Sequence, residues 1–307
     1  MNTRASARRA VDGVLLLDKP TGLTSNAAIQ RVKRLFYAQK AGHVGTLDPM
    51  ASGLLPVCLG EATKFSTDTF SADKSYEAEI LLGVTTTTGD REGEVTSRNT
   101  VSVTLDEVNA VLAAFTGALE QTPPMYSALK RDGKPLYAYA RAGVTLERTP
   151  RSITIYELTL LSLSGERLTV DVSCSKGTYI RVLAEDIGKA LGCGATLAAL
   201  RRTRVGDFRL LSAIGLSALE QAAEGDQLRR LLAVDSLAAG LPAITLTSDS
   251  ARRILCGQAA VVEAIPANQN AGVVRLYGPE QRFLGLGEID ATGRVLAKRL
   301  VATGAMP

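Results

Sequence analysis

The chain has 307 residues, 46% of them hydrophobic and 21% charged, and its net charge of +4 is modest, a composition that predicts a globular protein of about two domains. No apolar run approaches the roughly 18 residues of a membrane-spanning helix or forms the core of a signal peptide, so we expect a cytoplasmic protein. Four cysteines without a C-x-x-C spacing and a single histidine argue against a structural zinc site and predict scattered buried thiols.

The first 61 residues predict a strand, a helix and a long loop. Residues 14–17 form a short apolar strand that ends in the turn DKPTG. Thr24 or Ser25 caps a helix whose apolar side chains recur at helical spacing. Residues 41–61 contain four glycines and two prolines without a clear period, which predicts an irregular loop. Long loops of this kind inside a compact domain are usually functional.

The central part of the chain predicts a mixture of strands and helices. A capping box, TLDE at residues 104–107, opens a helix that runs to Phe115. Apolar patterns predict the remaining elements, which are strands at 76–82, 153–161 and 168–174, a short helix at 135–141 and a helix at 178–191.

The pattern of predicted elements changes near residue 245, where one short helix is followed by several short strands. Ser248 caps a short helix, and strands follow near Val261 and at 273–277, 283–289 and 295–301. We therefore predict two domains, one of residues 1–245 and a small β-rich one of residues 246–307.

The charges are unevenly distributed along the chain. Residues 60–120 hold four basic and eleven acidic side chains, a balance of −7, whereas residues 125–155 hold six basic and two acidic ones, a balance of +4. Four arginines follow between residues 199 and 210. A segregated basic surface suits a polyanion such as a nucleic acid, and the alternative is an ordinary solvated face.

Three stretches are candidates for chemistry. The first is AGHVGTLDPMASG at residues 41–53, where Pro49 restricts Asp48 and glycines permit close approach of a ligand; the alternative is a structural turn. The second is SKGTYIR at 175–181. Arg181 lies on an apolar helix face and needs a carboxylate partner. The alternative to a functional partner is a purely structural ion pair with Glu185 or Asp186. The third is KSY at 74–76, whose tyrosine otherwise belongs to the core.

These stretches, taken together, resemble a known family. The runs GVLLLDKPTGLTS at 13–25 and GHVGTLDPMASGLLPVCLGEATK at 42–64 are similar to motifs of the bacterial tRNA pseudouridine-55 synthases, the TruB-type pseudouridine synthase family. So are KSY at 74–76, TGD at 88–90, GTYIR at 177–181 and LRRT at 200–203, in the same order. The resemblance spans residues 13 to about 208.

The resemblance implies a fold and an activity. The fold is α+β, a catalytic domain on a mixed, mainly antiparallel sheet, followed by a β-rich domain of the PUA type. The basic insertion at about 122–150 resembles the family's RNA-gripping segment. The implied activity is isomerisation of uridine to pseudouridine at position 55 in the tRNA T-loop, by base flipping, without a cofactor. We expect tRNA as the partner, a monomer, and no obligate protein partner or membrane.

The resemblance also assigns residues. Asp48 matches the catalytic aspartate, and Arg181 the arginine that pairs with it. Four further positions match substrate-binding residues, namely His43, Tyr76, Tyr179 and Leu200. Thr196 departs from the family, which often has histidine there, and a polar role at that position is therefore in doubt.

Two other classes of function remain open from the residues alone. A non-catalytic RNA-binding protein needs the basic surface but has no use for Asp48. A base-releasing glycosidase needs a pair of carboxylates and releases free uracil.

Overall fold

The computed structural model describes residues 9–66, 72–261, 272–290 and 292–302. The strands are β1 (Gly13–Lys19), β2 (Ala41–His43), β3 (Ser52–Leu59), β4 (Lys74–Leu82), β5 (Val84–Thr86), β6 (Val95–Arg98), β7 (Gly117–Gln121), β8 (Lys130–Arg131), β9 (Lys134–Pro135), β10 (Arg151–Ser164), β11 (Arg167–Cys174), β12 (Ala195–Val205), β13 (Phe208–Arg209), β14 (Ile214–Gly215), β15 (Leu231–Leu232), β16 (Ala243–Thr245), β17 (Ala260–Val261), β18 (Gly272–Tyr277), β19 (Phe283–Ile289) and β20 (Arg294–Leu300). The α-helices are α1 (Ser25–Leu35), α2 (Leu105–Ala114), α3 (Leu136–Arg141), α4 (Ile180–Ala190), α5 (Leu216–Gln221), α6 (Glu224–Arg229) and α7 (Ser248–Leu255).

A large mixed sheet forms the centre of the protein. Its strands lie in the order β14-β1-β3-β12-β4-β11-β10-β7, with β2 on β3, β13 on β12 and β15 on β1. The pairs β1/β14 and β3/β12 are parallel and the others are antiparallel. This is the mixed, mainly antiparallel sheet that the resemblance implied.

Amphipathic helices cover the sheet. The capping box at Thr104 and Glu107 forms as predicted and opens α2. Thr24 caps α1, because its side chain accepts a hydrogen bond from the Ala27 amide. The buried faces of α1, α2, α4 and α5 pack with the inner side chains of the sheet in one apolar cluster. This packing fixes the first turn of α4 near the sheet.

The prediction of an irregular loop over residues 41–61 is wrong at both ends. Residues at each end belong to strands β2 and β3, and only residues 44–51 between them are irregular. Strand β3 escaped prediction because seven of its eight residues are buried, so its polarity does not alternate. Strand β12 was also missed, because its three arginines interrupt the apolar pattern although it lies between β3 and β4.

The basic insertion lies between two neighbouring strands. Residue pairs from Gln121↔Arg151 to Gly117↔Ile155 join β7 to β10, so residues 122–150 extend from the end of a β-hairpin. The insertion contains the short ribbon β8/β9 and helix α3, which begins after Pro135 as predicted. Its two ends are therefore fixed by the edge of the main sheet.

A second sheet holds the C-terminal strands in the order β16-β18-β19-β20-β17. It has its own apolar cluster, which includes Ile254 of α7. The sheet also contacts the main body: the rings of Phe65 and Phe283 lie 5.7 Å apart, and the Arg299 guanidinium donates a 2.8 Å hydrogen bond to the Lys64 carbonyl. The two parts of the chain thus share an apolar junction.

Other predicted features have mixed outcomes. Cys58, Cys174 and Cys193 are buried thiols as predicted, whereas Cys256 is exposed because it lies at the end of α7. Within the described ranges no helix is long and apolar enough to cross a membrane.

Candidate active site

The loop of residues 44–51 is fixed by hydrogen bonds on both sides of Asp48. The buried Ser25 hydroxyl accepts a 2.8 Å hydrogen bond from the Leu47 amide and donates one of 2.9 Å to the Leu47 carbonyl. The Gly22 amide donates to the Pro49 carbonyl at 2.8 Å. These contacts join the loop to the turn and helix that follow β1, so the position of the Asp48 side chain is determined by buried structure.

The Arg181 guanidinium lies between two aspartates. Its Nη2 atom is 3.1 Å from Oδ2 of Asp48, and its Nη1 atom is 3.4 Å from Oδ2 of Asp90. Nη2 also donates a 2.6 Å hydrogen bond to the Tyr126 carbonyl, and Nη1 one of 3.3 Å to the Thr88 carbonyl. A planar guanidinium with five donors can satisfy all four acceptors, which an ammonium group cannot do.

The partner of Arg181 was an open question in the sequence. Glu185 and Asp186 were the alternatives to Asp48, and neither forms an ion pair with Arg181 among the residues that the structure describes. The second partner is Asp90, which the sequence had placed in a motif without a role. The Thr88 hydroxyl and the Glu92 amide hold its Oδ1 atom at 2.7 and 3.0 Å.

The surroundings of Asp48 perturb its titration. Burial raises the pKa of the Asp48 carboxyl, Arg181 opposes this shift, Asp90 adds to it and Lys19 opposes it. Even so, 41% of the side-chain surface of Asp48 remains open, whereas Arg181 is 6% exposed. Burial lowers the pKa of Lys19 to about 8, and its ammonium donates to two main-chain carbonyls. Asp48 is thus the accessible anion of a buried charge network.

A cleft of about 370 Å³ opens beside Asp48. Five of the six predicted site residues line it, namely Asp48, Tyr76, Tyr179, Arg181 and Leu200. Tyr76 on β4 and Leu200 on β12 come from adjacent strands and are nearly buried. Residues 127–129 of the basic insertion form part of the wall. The cleft therefore joins the loop of residues 44–51, the sheet, the start of α4 and the insertion.

His43 is the predicted site residue outside the cleft lining. It ends β2, pairs in register with Val57, and precedes Gly45 of the lining by two residues. Burial lowers its pKa, and the charge of Arg202 adds to that shift. Thr196, where the family often has histidine, is buried with its hydroxyl 3.0 Å from that of Thr86 and does not line the cleft.

Tyr179 is held by a buried amide side chain that the sequence did not single out. The Tyr179 amide donates a 2.7 Å hydrogen bond to Oε1 of Gln121, and Nε2 of Gln121 donates one of 3.1 Å to the Tyr179 carbonyl. Tyr179 is the residue before α4, so this contact fixes the start of the helix that carries Arg181. Gln121 ends β7, where the basic insertion begins. The only signal in the sequence was a polar residue at the end of a short strand.

The residues that build this site lie in ranges that are similar to known protein families. Residues 33–180 match the family model for the N-terminal domain of the TruB family pseudouridylate synthases. Residues 181–237 match the tRNA pseudouridylate synthase B C-terminal domain, and residues 242–301 match the C-terminal part of pseudouridine synthase II TruB. A tRNA pseudouridine synthase B of Aromatoleum aromaticum is 55% identical over 96% of this chain and 94% of its own length.

The chain belongs to the TruB family of pseudouridine synthases. A second tRNA pseudouridine synthase B, from Burkholderia mallei, is 54% identical over 97% of this chain and 100% of its own length. Among solved structures, the TruB-family fold is matched by a chain of an H/ACA RNP bound to a substrate RNA containing 2′-deoxyuridine, with a TM-score of 0.73 and 25% identity over 95% of this chain and 85% of that one. A chain of a Cbf5-Nop10-Gar1 complex matches with a TM-score of 0.72 and 27% identity over 94% and 84%.

Proposed function

We propose that this protein isomerises uridine to pseudouridine at position 55 in the T-loop of tRNA, with Asp48 as its catalytic residue. The observation that carries the proposal is an accessible carboxylate on a fixed loop, paired with a buried arginine at the side of a cleft lined by Tyr76 and Leu200. Two relatives that are at least 54% identical over nearly the whole chain are named tRNA pseudouridine synthase B, and their name supplies the substrate.

The reaction needs little machinery beyond a positioned carboxylate. The bond from N1 of uracil to C1′ breaks, the base turns, and a bond from C5 to C1′ forms while C5 loses a proton and N1 gains one. The substrate and product have the same mass, and no redox group is required. Attack on the sugar, attack on the base and elimination all require an ionised carboxylate beside the flipped nucleotide. Asp48 is the group in the cleft that meets this requirement.

The nucleotide must leave the RNA stack to reach Asp48. Flipping costs a few kcal/mol, and contact of a base with an aromatic side chain returns about 1–3 kcal/mol. In this proposal Tyr76 contacts the target base in the cleft, Tyr179 and Leu200 complete the pocket, and His43 occupies the space that the flipped nucleotides leave. Tyr76 is 6% exposed, so its ring is already held in place before the base arrives.

Arg181 keeps Asp48 ionised and oriented. A base that covers the open side of Asp48 removes water and by itself favours the protonated, inert form. The guanidinium opposes that change, and Asp90 and the Tyr126 carbonyl hold the guanidinium in place. Asp90 is 4% exposed and does not line the cleft, so it supports Arg181 and does not contact the substrate.

In this proposal the RNA is bound mainly by surfaces outside the cleft that holds Asp48. We assign residues 1–245 to a catalytic domain, with the insertion at about 122–150 as its phosphate-binding segment, and residues 246–307 to a PUA-like RNA-binding domain, whose sheet also includes β16 just before that boundary. Lys130, Arg131 and Lys134 on the insertion are exposed. Phosphate contacts position folded RNA, and its shape provides the specificity. We further propose that the protein acts as a monomer in the cytoplasm.

Among the described residues, the cleft lining offers a glycosidase a single carboxylate, that of Asp48. An inverting or retaining glycosidase needs two carboxyl groups that both face the sugar. Asp90, the other carboxylate paired with Arg181, is 4% exposed and is not among the residues that line the cleft.

Incubation with an unmodified tRNA transcript tests the proposal. We expect pseudouridine at position 55 by chemical mapping, no release of free uracil, and no product in a transcript with cytidine at that position. Release of free uracil contradicts the proposal and favours a glycosidase, and tRNA binding without any product favours a non-catalytic RNA-binding protein.

A further inference from the structure

One buried cation among the residues that line the cleft has no role in the proposed function as described so far. Arg202 on β12 is 0% exposed and is among the largest fully buried side chains of the described residues. It has no carboxylate partner among the ion pairs of these residues. A buried charge without a counter-ion is costly, and a neutral side chain of similar volume is usually tolerated as well or better in a core. The charge of Arg202 is therefore not explained by stability alone.

The Arg202 guanidinium is held by the main chain of the catalytic loop. Nη2 donates a 2.9 Å hydrogen bond to the Gly45 carbonyl and Nη1 one of 3.3 Å to the Thr46 carbonyl, while Nε donates one of 2.8 Å to the Leu54 carbonyl at the start of β3. The two loop carbonyls precede Asp48 by three and two residues. Arg202 thus holds Gly45 and Thr46 of the loop, whereas Ser25 holds Leu47.

Two glycines make this contact possible. Gly45 has φ of +75°, and a Cβ atom there would lie 3.2 Å from Nη1 of Arg202. Gly53 on β3 pairs in register with Arg202 on β12 and has φ of +100°. A Cβ atom at Gly53 would lie 2.3 Å from the Arg202 carbonyl oxygen. Both positions require the left-handed region and close approach, which glycine alone accommodates without strain. Gly45 thus makes room for the guanidinium, and Gly53 allows β3 to approach the main chain of the strand that carries it.

The same guanidinium contacts a cleft residue. Tyr76 and Arg202 are register partners on the adjacent strands β4 and β12, so their side chains are direct cross-strand neighbours on one face of the sheet, and both residues line the cleft. Burial raises the pKa of the Tyr76 hydroxyl, and the Arg202 charge opposes that shift. Arg202 consequently binds the loop that carries Asp48 and neighbours the tyrosine that lines the same cleft.

We propose that Arg202 is a positioning residue that sets the spacing between the Asp48 loop and the Tyr76 hydroxyl. The inference rests on the proposed function. Misplacement of a reacting group by about 1 Å can cost about 100-fold in rate. Loss of the Arg202 guanidinium should therefore slow the chemical step. Binding of tRNA should change little, because it depends on exposed phosphate contacts.

The test compares Arg202→Met and Arg202→Lys with the wild type. We expect the single-turnover rate at saturating tRNA to fall about 100-fold in Arg202→Met and less in Arg202→Lys, with the Kd for tRNA within about threefold of the wild type. Methionine removes all donors, whereas lysine keeps the charge and part of the hydrogen bonding. A double-mutant cycle with Tyr76→Phe should show effects that are not additive, because the two residues are direct cross-strand neighbours.

Gln227→Met is the matched control. Gln227 is also a buried side chain whose donors reach two main-chain carbonyls, those of Leu219 and Ala222, but it lies outside the cleft lining. It should lose thermal stability without a change in the single-turnover rate measured well below its unfolding transition. Each variant is assayed at a temperature where circular dichroism shows it to be folded.

Three results would overturn the inference. A folded Arg202→Met with a rate within about threefold of the wild type removes the positioning role. Failure of both Arg202 variants to fold, while Gln227→Met folds, makes Arg202 a purely structural residue. A loss of tRNA affinity that accounts for the whole loss of activity assigns Arg202 to binding. A wild type without activity contradicts the proposed function itself, which is a separate outcome.

Discussion

Nη2 of Arg181 and Oδ2 of Asp48 face each other at 3.1 Å, and the two side chains differ sharply in their access to water. Arg181 is 6% exposed and Asp48 41% exposed. The arginine is thus part of the protein interior, whereas the aspartate presents its free side to the cleft. This asymmetry is what an anion needs if it is to meet a substrate while its counter-ion stays fixed.

Replacement of Arg181 separates its charge from its geometry. We expect Arg181→Lys to retain some activity and Arg181→Met far less, with little change in tRNA affinity for either variant. Lysine keeps the positive charge but cannot span Asp48 and Asp90 with a planar fork. Single-turnover rates and filter-binding affinities measure the two effects. Arg167→Met, which breaks an ion pair with Glu79 on the surface, is the control for loss of an arginine. Equal activity of Arg181→Met and wild type would make Arg181 a structural residue.

The acid limb of the pH–rate profile should shift in opposite directions when Arg181 and Asp90, the two charged neighbours of Asp48, are replaced in turn. Burial raises the pKa of Asp48, Arg181 opposes the shift and Asp90 adds to it. In the proposed function the ionised carboxylate of Asp48 is the active form, so kcat/KM should fall as the pH drops through this pKa. Arg181→Met removes an opposing charge and should move the acid limb to higher pH. Asp90→Asn removes a like charge and should move it to lower pH.

The measurement is the acid limb of kcat/KM from about pH 4 to 8 in both variants. Thermal unfolding at each pH is the control, since loss of the folded state also lowers the rate at acid pH. Movement of both limbs in the same direction contradicts the electrostatic account of the Asp48 site.

The sequence predicted the parts of this site that local chemistry determines. The Asp-Pro turn among glycines and the arginine on an apolar helix face made Asp48 and Arg181 candidates, and the family resemblance assigned their roles. Local patterns also predicted α2, β4, β10 and β11 close to their observed bounds. They are short-range features, because caps, alternation and turns depend on neighbouring residues.

The missed features depend on residues far apart in the chain. Asp90 and Arg181 form an ion pair although they are 91 residues apart in the sequence. Arg202 reaches Gly45 across 157 positions, and the strand that carries it looked too charged to be central. A buried arginine that binds carbonyls leaves no pattern in its own neighbourhood. Such contacts follow from the order of strands in the sheet, which periodicity alone does not provide.

The basic insertion should account for much of the salt dependence of tRNA binding. Changing Lys130, Arg131 and Lys134 together to alanine removes three exposed charges. Each lost phosphate contact should lower the slope of log affinity against log salt by about 0.7–0.9, and affinity should fall. Fluorescence anisotropy with labelled tRNA at several salt concentrations measures the slope.

A matched triple variant distinguishes local contacts from net charge. Arg98, Arg167 and Lys189 are exposed basic residues outside the insertion, and changing them to alanine removes the same total charge. This control should leave the slope nearly unchanged. Equal slopes for the insertion variant and the wild type would mean that the insertion is an ordinary solvated face.

Truncation after residue 245 should weaken both the fold and the grip on tRNA. The shortened chain loses Phe283, whose ring lies 5.7 Å from that of Phe65, and the hydrogen bond from Arg299 to the Lys64 carbonyl. Phe65 is 1% exposed and would meet water, which costs up to about 1.5–3 kcal/mol of folding free energy. We expect a lower unfolding temperature by calorimetry.

Chemistry should survive in the folded truncated chain. The cleft and the Asp48 network belong to residues before 245, so the single-turnover rate at saturating tRNA should stay near that of the full chain while the Kd rises. Phe283→Ala in the full-length chain is the control, because it disturbs the junction but keeps the second sheet. Complete loss of turnover in a folded truncation would mean that the second sheet takes part in the chemistry.

The most direct measurement is the activity of Asp48→Asn on an unmodified tRNA transcript. Asparagine keeps the shape of the side chain but cannot act as an anion or a nucleophile of the same kind. We predict that the wild type forms pseudouridine at position 55, that Asp48→Asn forms none detectable by chemical mapping, and that both bind the transcript with similar Kd. Activity of Asp48→Asn within about tenfold of the wild type would contradict the assignment of Asp48 as the catalytic residue.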